Sequence, residues 1–395
     1  MMKPLEGVKV LDLSRVLAGP TVGMILGDLG ADVIKVEKPG VGDETRGWGP
    51  PFAGGESAYY MCANKNKRGM TLDMKSKEGR EILEKLIRNS DVVILNFLPD
   101  VLKGLKLTYE DVKSIREDII WACITGFGLT GPKANKPGYD VLIQGISGLM
   151  SITGEPEGEP MKVGVAICDV LTALYTVIAI EAAIIRKNKT GEGTIIDSSL
   201  LESTIASLVN VASNYLVGGK IPKRYGNAHP NIVPYQVFRA HDQYIIIAVG
   251  NEEQWKRFCK VVEREDLAFD PRFESNAKRL ANRDILIPII EEIILEKDAE
   301  YWLAKLEEVR IPAGPINTVD KAIEDEQIHA RGFVEEVAHP TAGRVRLMRN
   351  PIHFGDIILD IYRHPPLLGE HTQEILLELG YRLDDVKAFK RKGVI

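Results

Sequence analysis

One acid offers the clearest opening for chemistry in this chain. Asp169 follows small residues and opens an apolar run in VGVAICDVLTALY. The plainest role for an acid there is an N-cap, accepting the free N–H groups of a helix's first turn. The other is a carboxylate nucleophile, kept ionised at neutral pH by the helix N-terminus, with room for a substrate beside the flanking Gly and Ala. The two roles are compatible. A second feature is the basic stretch Lys65-Asn66-Lys67-Arg68, with Lys75 just after the short strand MTLD. It reads either as a solvated turn before a strand or as a phosphate clamp, because ammonium and guanidinium groups complement phosphate oxygens. The third is the density of small residues in TGFGLTGP and SGLMSITG. These are turn residues, or places where backbone comes close to a ligand and leaves N–H donors for a developing oxyanion.

Other chemistries lack their residues. SRVLAGPTVG, after the first apolar strand, contains no GxGxxG, and the chain has no Walker sequence, HExxH or GxSxG. Cys62, Cys123, Cys168 and Cys259 are far apart and the seven histidines are scattered, so neither a zinc site nor a disulfide framework is expected. Lys and Arg number 50 against 56 Asp and Glu, a net charge of −6, which argues against a nucleic-acid partner.

These residues need elements to position them. At 395 residues, with 45% hydrophobic and 27% charged residues, the chain is an ordinary globular protein of two or three domains. Its N-terminal third alternates strand and helix. VKVLDLS, ADVIKVE, DVVILNF and IIWACITGFG read as strands, and AGPTVGMILGDLG and KEGREILEKLIRN as helices. Such alternation implies a mostly parallel sheet, which binds ligands at the carboxyl ends of its strands. Residues 126–164 are Gly- and Pro-rich loop around a short helix at 141–147, and GEGTIID reads as a bend before a helix over 200–216. Beyond residue 225, VPYQVFRAHDQYIIIAVG reads as a hairpin turning at His241-Asp242, followed by charged helices. The tail reads as a strand pair and a closing helix. The run from Val170 to Ile185 is shorter than the about 20 residues of a membrane span and carries Glu181. The N-terminal MMKPLEG lacks the apolar run of a signal peptide, so a cytoplasmic protein without a membrane partner is expected.

Taken together, the motifs resemble the class III CoA-transferases, the family of formyl-CoA:oxalate and carnitine CoA-transferases. The likeness runs over essentially the whole chain through PLEGVKVLDLSRVLAGP, LGDLGADVIKVEKPGVGDETRGWGPPF, NKNKRGMTLDMKSKEG, TGFGLTGP, PGYD, VGVAICD and PPLLGEHT. NYLVGGKIPKRYGNAHPNIVPYQVF looks most like the succinyl-CoA:glutarate branch. The resemblance implies an α/β fold with a Rossmann-like large domain built from both chain ends, a smaller α+β domain, and an interlocked homodimer. The expected borders are 1–200 and 326–395 for the large domain, 201–224 for a helix and linker, and 225–325 for the small domain.

The same resemblance makes Asp169 the nucleophile and acyl-CoA and a small carboxylic acid the substrates, with no permanently bound cofactor. CoA contacts carry over to Arg15, Val16, Ala18, Lys38, Leu72, Lys75, Asn96 and Phe97, and Tyr139 of PGYD to an active-site position. The usual ENFRPG is LNFLPD here, so Leu98 and Asp100 replace an arginine and a glycine, and a basic contact falls on Gly104 beside Lys103. Lys136 represents the lysine near the active-site tyrosine, and a glycine-run lid is reduced to Gly250-Asn251. A dicarboxylate acceptor buries a second charge that needs a cationic partner. Arg46 is expected first, then Arg224 and His229. Two other readings fit the sequence less well. Related α-methylacyl-CoA racemases use a His–Asp pair, but here Tyr139 stands where the His would be, and a phenol of pKa about 10 is a poor base near neutrality. A non-catalytic acyl-CoA-binding protein would have no use for Asp169.

Overall fold

The apolar runs of the N-terminal half become one parallel sheet. The structure, a computed structural model, describes residues 2–395. Its first strands are β1 (Lys9–Asp12), β2 (Asp32–Glu37), a small antiparallel hairpin of β3 (Phe52–Ala53) and β4 (Glu56–Ser57), β5 (Arg68–Thr71), β6 (Val92–Leu95), β7 (Ile120–Thr125) and β8 (Thr194–Ser199). Six of them form a sheet in the order β5-β2-β1-β6-β7-β8, every pair parallel. This is the doubly wound arrangement, with its switch point between β1 and β6.

Period-two alternation explains both faces. Leu11, Val93, Leu95, Trp121 and Cys123 point to one side and pack against Ile82, Leu83, Leu86 and Ile87 of the Lys77–Arg88 helix. Their neighbours Val10, Val92, Ile94, Ile120 and Ala122 point to the other. There they meet Val22 and Leu26 of the Ala18–Asp28 helix, and Ala173, Val177 and Ile180 of the Ile167–Thr190 helix. Ile375 and Leu376, near the chain's other end, complete the first of these layers. By length and composition the Ile167–Thr190 helix could cross a membrane. Its inner face belongs instead to this core.

The chain divides into two units. The first takes the residues up to Leu149, then Val163–Val209 and Glu326–Ile395. The second takes Met150–Lys162 and Asn210–Asp325. Residues 150–162 therefore group with the second unit, although the expected border lay at residue 200. Within the second unit, β9 (Tyr235–Arg239), β10 (Tyr244–Ala248) and β11 (Ala313–Pro315) form an antiparallel sheet, with the expected turn at His241-Asp242. Phe238, Ile245 and Ile247 pack there on Trp255, Phe258, Leu286 and Trp302. The first unit's tail carries the hairpin β12 (Val334–His339) and β13 (Gly343–Met348).

Three local readings are corrected. GEGTIID is not only a bend, because Thr194–Ser199 adds an edge strand to the main sheet. Its polar DSS end hides the strand pattern. The helix expected over 200–216 is two, Leu200–Ala206 and Val209–Gly218, broken where Val209 takes φ +34°. Lys65-Asn66-Lys67-Arg68 is neither a solvated turn nor a phosphate clamp. All four are buried, and their polar groups meet acids of the same unit: Lys65 and Asn66 on Asp28, Lys67 on Asp12, and Arg68 on Asp32, Glu374 and Glu378.

Candidate active site

The carboxyl ends of β1, β6 and β7 open into a cleft of about 250 Å³. Arg15, Val16 and Ala18 supply its β1 wall, Asn96 and Phe97 its β6 wall, and Ile124–Gly126 the end of β7. Tyr139 and Asp169 complete it. Across the switch point, Arg15 N–H donates to Asn96 Oδ1 at 3.0 Å and Asn96 Nδ2 donates to Arg15 C=O at 2.7 Å. The Ala18–Asp28 helix starts in this wall with Leu17 before it, and no side chain caps its first N–H groups. A second hollow of about 480 Å³ shares Arg15, Glu44, Phe97 and Val101 with the first. It is lined by Lys38, Leu72 and Lys75, at the ends of β2 and β5. The two hollows make a trough from two exposed ammonium groups to Asp169.

Asp169 sits in the first turn of Ile167–Thr190 but does not cap it. Ala166 is the N-cap residue, and the capping carboxylate is Asp140, whose Oδ1 accepts from Cys168 N–H at 2.8 Å. Gln144 holds Asp140 in turn through Nε2 to Oδ2 at 2.7 Å, while its Oε1 accepts from Val163 N–H at 2.8 Å. This leaves Asp169 without a hydrogen-bond donor among the described residues. Burial, then the charge of Asp140, push its carboxyl up to about 7. Loss of water and a second acid thus work against the expectation that the helix terminus keeps it ionised at neutral pH.

Glycines set how closely the loops approach. A Cβ on Gly126 would stand 2.6 Å from Gly138 Cα, so TGFG and PGYD stack backbone on backbone. Gly128 takes φ +86°, and its N–H donates to Thr125 Oγ1 at 2.9 Å. That donor is spent within the loop.

The remaining expected residues lie as follows. Lys103 pairs with Asp100 at 3.5 Å on the surface and lines neither hollow. Lys136 is exposed, next to Pro137 of the cleft. Arg46, expected to hold a second substrate carboxylate, is already engaged. Its guanidinium binds Glu37 at 2.7 and 2.8 Å and Glu56 at 3.1 Å, and covers the Tyr60 ring. Arg224 donates to the carbonyls of Glu155, Pro156 and Gly158. His229 is held neutral by burial and by Arg283, and its Nδ1 accepts from Asn231 N–H. Arg46 is thus paired with acids, Arg224 is spent on backbone carbonyls, and His229 is favoured as the neutral imidazole.

Sequence reasoning missed Asp140 as the cap and Tyr59. The Tyr59 hydroxyl is pushed up to about 12 by burial and by Asp169, and its ring meets Trp48 edge-on at 5.0 Å. The aromatics of GWGPP and SAYYM were the available signal.

A sequence profile described as CoA-transferase family III matches residues 5–372. A human succinyl-CoA:glutarate CoA-transferase is 44% identical over 97% of this chain and 87% of its own length. A succinate–glutarate CoA-transferase of Agrobacterium fabrum is 44% identical over 95% of this chain and 96% of its own. Among solved structures, a CAIB/BAIF family protein from Brucella suis superposes with a TM-score of 0.84 at 45% identity, covering 96% of this chain and all of that one.

Proposed function

The chain belongs to CoA-transferase family III, and from that premise we propose that it moves CoA from succinyl-CoA to glutarate with Asp169 as the nucleophile. The observation that carries this is the uncapped Asp169 carboxylate at the end of the trough, its helix capped instead by Asp140. Ionised Asp169 attacks the thioester carbonyl, the C–S bond breaks, and a mixed anhydride and CoA thiolate form. The thiolate attacks the aspartyl carbonyl and releases succinate, leaving an aspartyl-CoA thioester. A glutarate carboxylate attacks that thioester, breaking its C–S bond to give a second anhydride and CoA thiolate. The returning thiolate attacks its glutaryl carbonyl, producing glutaryl-CoA and free Asp169. Every bond broken is replaced by one of similar energy, and water must stay out because each intermediate hydrolyses.

Lys38 and Lys75 are proposed to anchor the CoA phosphates, and Arg15–Ala18 with Asn96 and Phe97 to hold the arm that leads to Asp169. What supports this is their place along one trough. The choice of glutarate rests on the two relatives, since Arg46, Arg224 and His229 are engaged within the chain. A homodimer is proposed as well. It is supported by Leu174, Tyr175, Ile178 and Ile185, which are exposed along one face of the core helix.

The test is mass spectrometry after incubation with succinyl-CoA. A CoA adduct is expected on Asp169, and Asp169→Ala should form none and lose transfer while remaining folded. More than a few per cent of wild-type activity in that variant would overturn the nucleophile. Glutarate, succinate and butyrate are then compared as acceptors, and equal rates for glutarate and butyrate would overturn the dicarboxylate assignment.

A further inference from the structure

A cluster of buried charges lies directly behind the β1 wall of the cleft. Asp12 and Lys67 pair at 3.0 Å and Lys35 and Asp43 at 2.9 Å, with all four side chains closed to solvent. Buried pairs of this kind add little stability over apolar residues of the same volume. Their hydrogen bonds, however, converge on one tripeptide. Asp12 accepts from Ser14 N–H at 3.0 Å, Lys35 donates to Ser14 C=O at 3.1 Å, and Asp43 accepts from Val16 N–H at 3.2 Å. The Asn96 amide holds both backbone groups of Arg15 between them. From Ser14 N–H to Val16 N–H, every backbone polar group therefore ends on a side chain. Held this way, Val16 takes φ +70°, a left-handed conformation that a β-branched residue avoids unless its surroundings impose it. Asp43 also accepts from Thr45 N–H at 3.0 Å, so one carboxylate joins both walls of the trough.

We propose that the buried Lys35–Asp43 pair is a positioning pair for acyl-CoA: it fixes the Ser14–Val16 turn, and through it the wall that receives the thioester arm. This rests on the reading that the cleft beside Asp169 binds acyl-CoA. Asp43 belongs to the lining of the second hollow, but both side chains are closed to solvent and act through the backbone they hold, so their loss should appear in the constant for acyl-CoA rather than in turnover or in the constant for the free acid.

The lead variant is Lys35→Met/Asp43→Asn, which removes both charges together and keeps volume and shape. It is expected to fold, to raise KM for succinyl-CoA about tenfold, and to leave kcat within about twofold and KM for glutarate unchanged. A folded double variant with wild-type KM for succinyl-CoA would overturn the proposal. If the double variant does not fold, Lys35→Gln decides: a rise of about threefold is expected, and a wild-type KM overturns the pairing role. Val101→Trp, whose exposed side chain lines both hollows, narrows the trough itself and separates the two readings. If it too leaves KM unchanged, the cleft assignment is at fault. If it raises KM while the double variant does not, only the positioning role is lost.

Discussion

Two carboxylates share one helix terminus, and they divide the work. Asp140 takes the free N–H of Cys168, so its negative charge is met there, while Asp169 has no donor and is pushed up to about 7 by burial and by that neighbour. Attack requires the ionised form, so kcat/KM for acyl-CoA should rise with pH through about 7 and level off above it. Asp140→Asn should move that limb to lower pH, because the amide oxygen can still accept from Cys168 while the repelling charge is gone. A limb unmoved in Asp140→Asn would show that Asp140 is not the cause. The same shift makes a stability prediction. A carboxyl raised above its unfolded value of 3.8 favours the folded state only while protonated, so its ionisation costs stability progressively from about pH 4 to 7. Asp169→Asn should thus be more stable than the wild type at pH 8, on the order of 2 kcal/mol, and equal to it near pH 4. An acid that capped the helix would give no such gain at pH 8, because asparagine caps about as well as aspartate. Thermal unfolding at the two pH values separates these outcomes.

The loops that end β7 and open the Asp140–Ile146 helix depend on two glycines. A methyl on Gly126 would lie 2.6 Å from Gly138 Cα, and one on Gly138 would lie 2.7 Å from Gly126 Cα. Backbone cannot give way as a flexible side chain can. Gly126→Ala should therefore cost about 1–3 kcal/mol and lower kcat by displacing Tyr139, the residue after Gly138. A wild-type melting temperature would refute the close contact. Elements whose pattern is local are legible in the sequence. VKVLDLS, DVVILNF and IIWACITG alternate between two apolar faces, and their ends bring Arg15, Val16, Ala18, Asn96 and Phe97 to one cleft. What could not be read depends on distant partners. Asp140 caps a helix 28 residues away. Lys67 looks like a surface cation until Asp12, 55 residues earlier, closes over it. Arg46 looks free until Glu37 and Glu56 claim it. Charge patterns in a sequence show which groups need partners, and only the fold shows which have found them.

For the molecule as a whole, the Ile167–Thr190 helix presents two apolar faces and the chain covers one. Ala173, Val177 and Ile180 face the sheet, while Leu174, Tyr175, Ile178 and Ile185 are exposed, Ile178 to 62%. A single exposed leucine or isoleucine is ordinary, but four large apolar groups in line on one helix mark a surface that something covers. A second copy is the occupant the proposed homodimer supplies, and a twofold pairing would bring the same stripe from both subunits together. Asp169 lies in the first turn of this helix, so covering the stripe would also steady the element that carries the proposed nucleophile. Ile178→Lys puts a charge into the centre of the stripe without touching the inner core. In sedimentation the wild type should run as a dimer, and the variant should shift toward monomer at micromolar concentration. A buried unpaired ammonium weakens an interface by several kcal/mol. Transfer activity should fall with the dimer and recover as protein concentration rises, since mass action restores the pairing. If Ile178→Lys sediments and reacts as the wild type does, the stripe is not the interface.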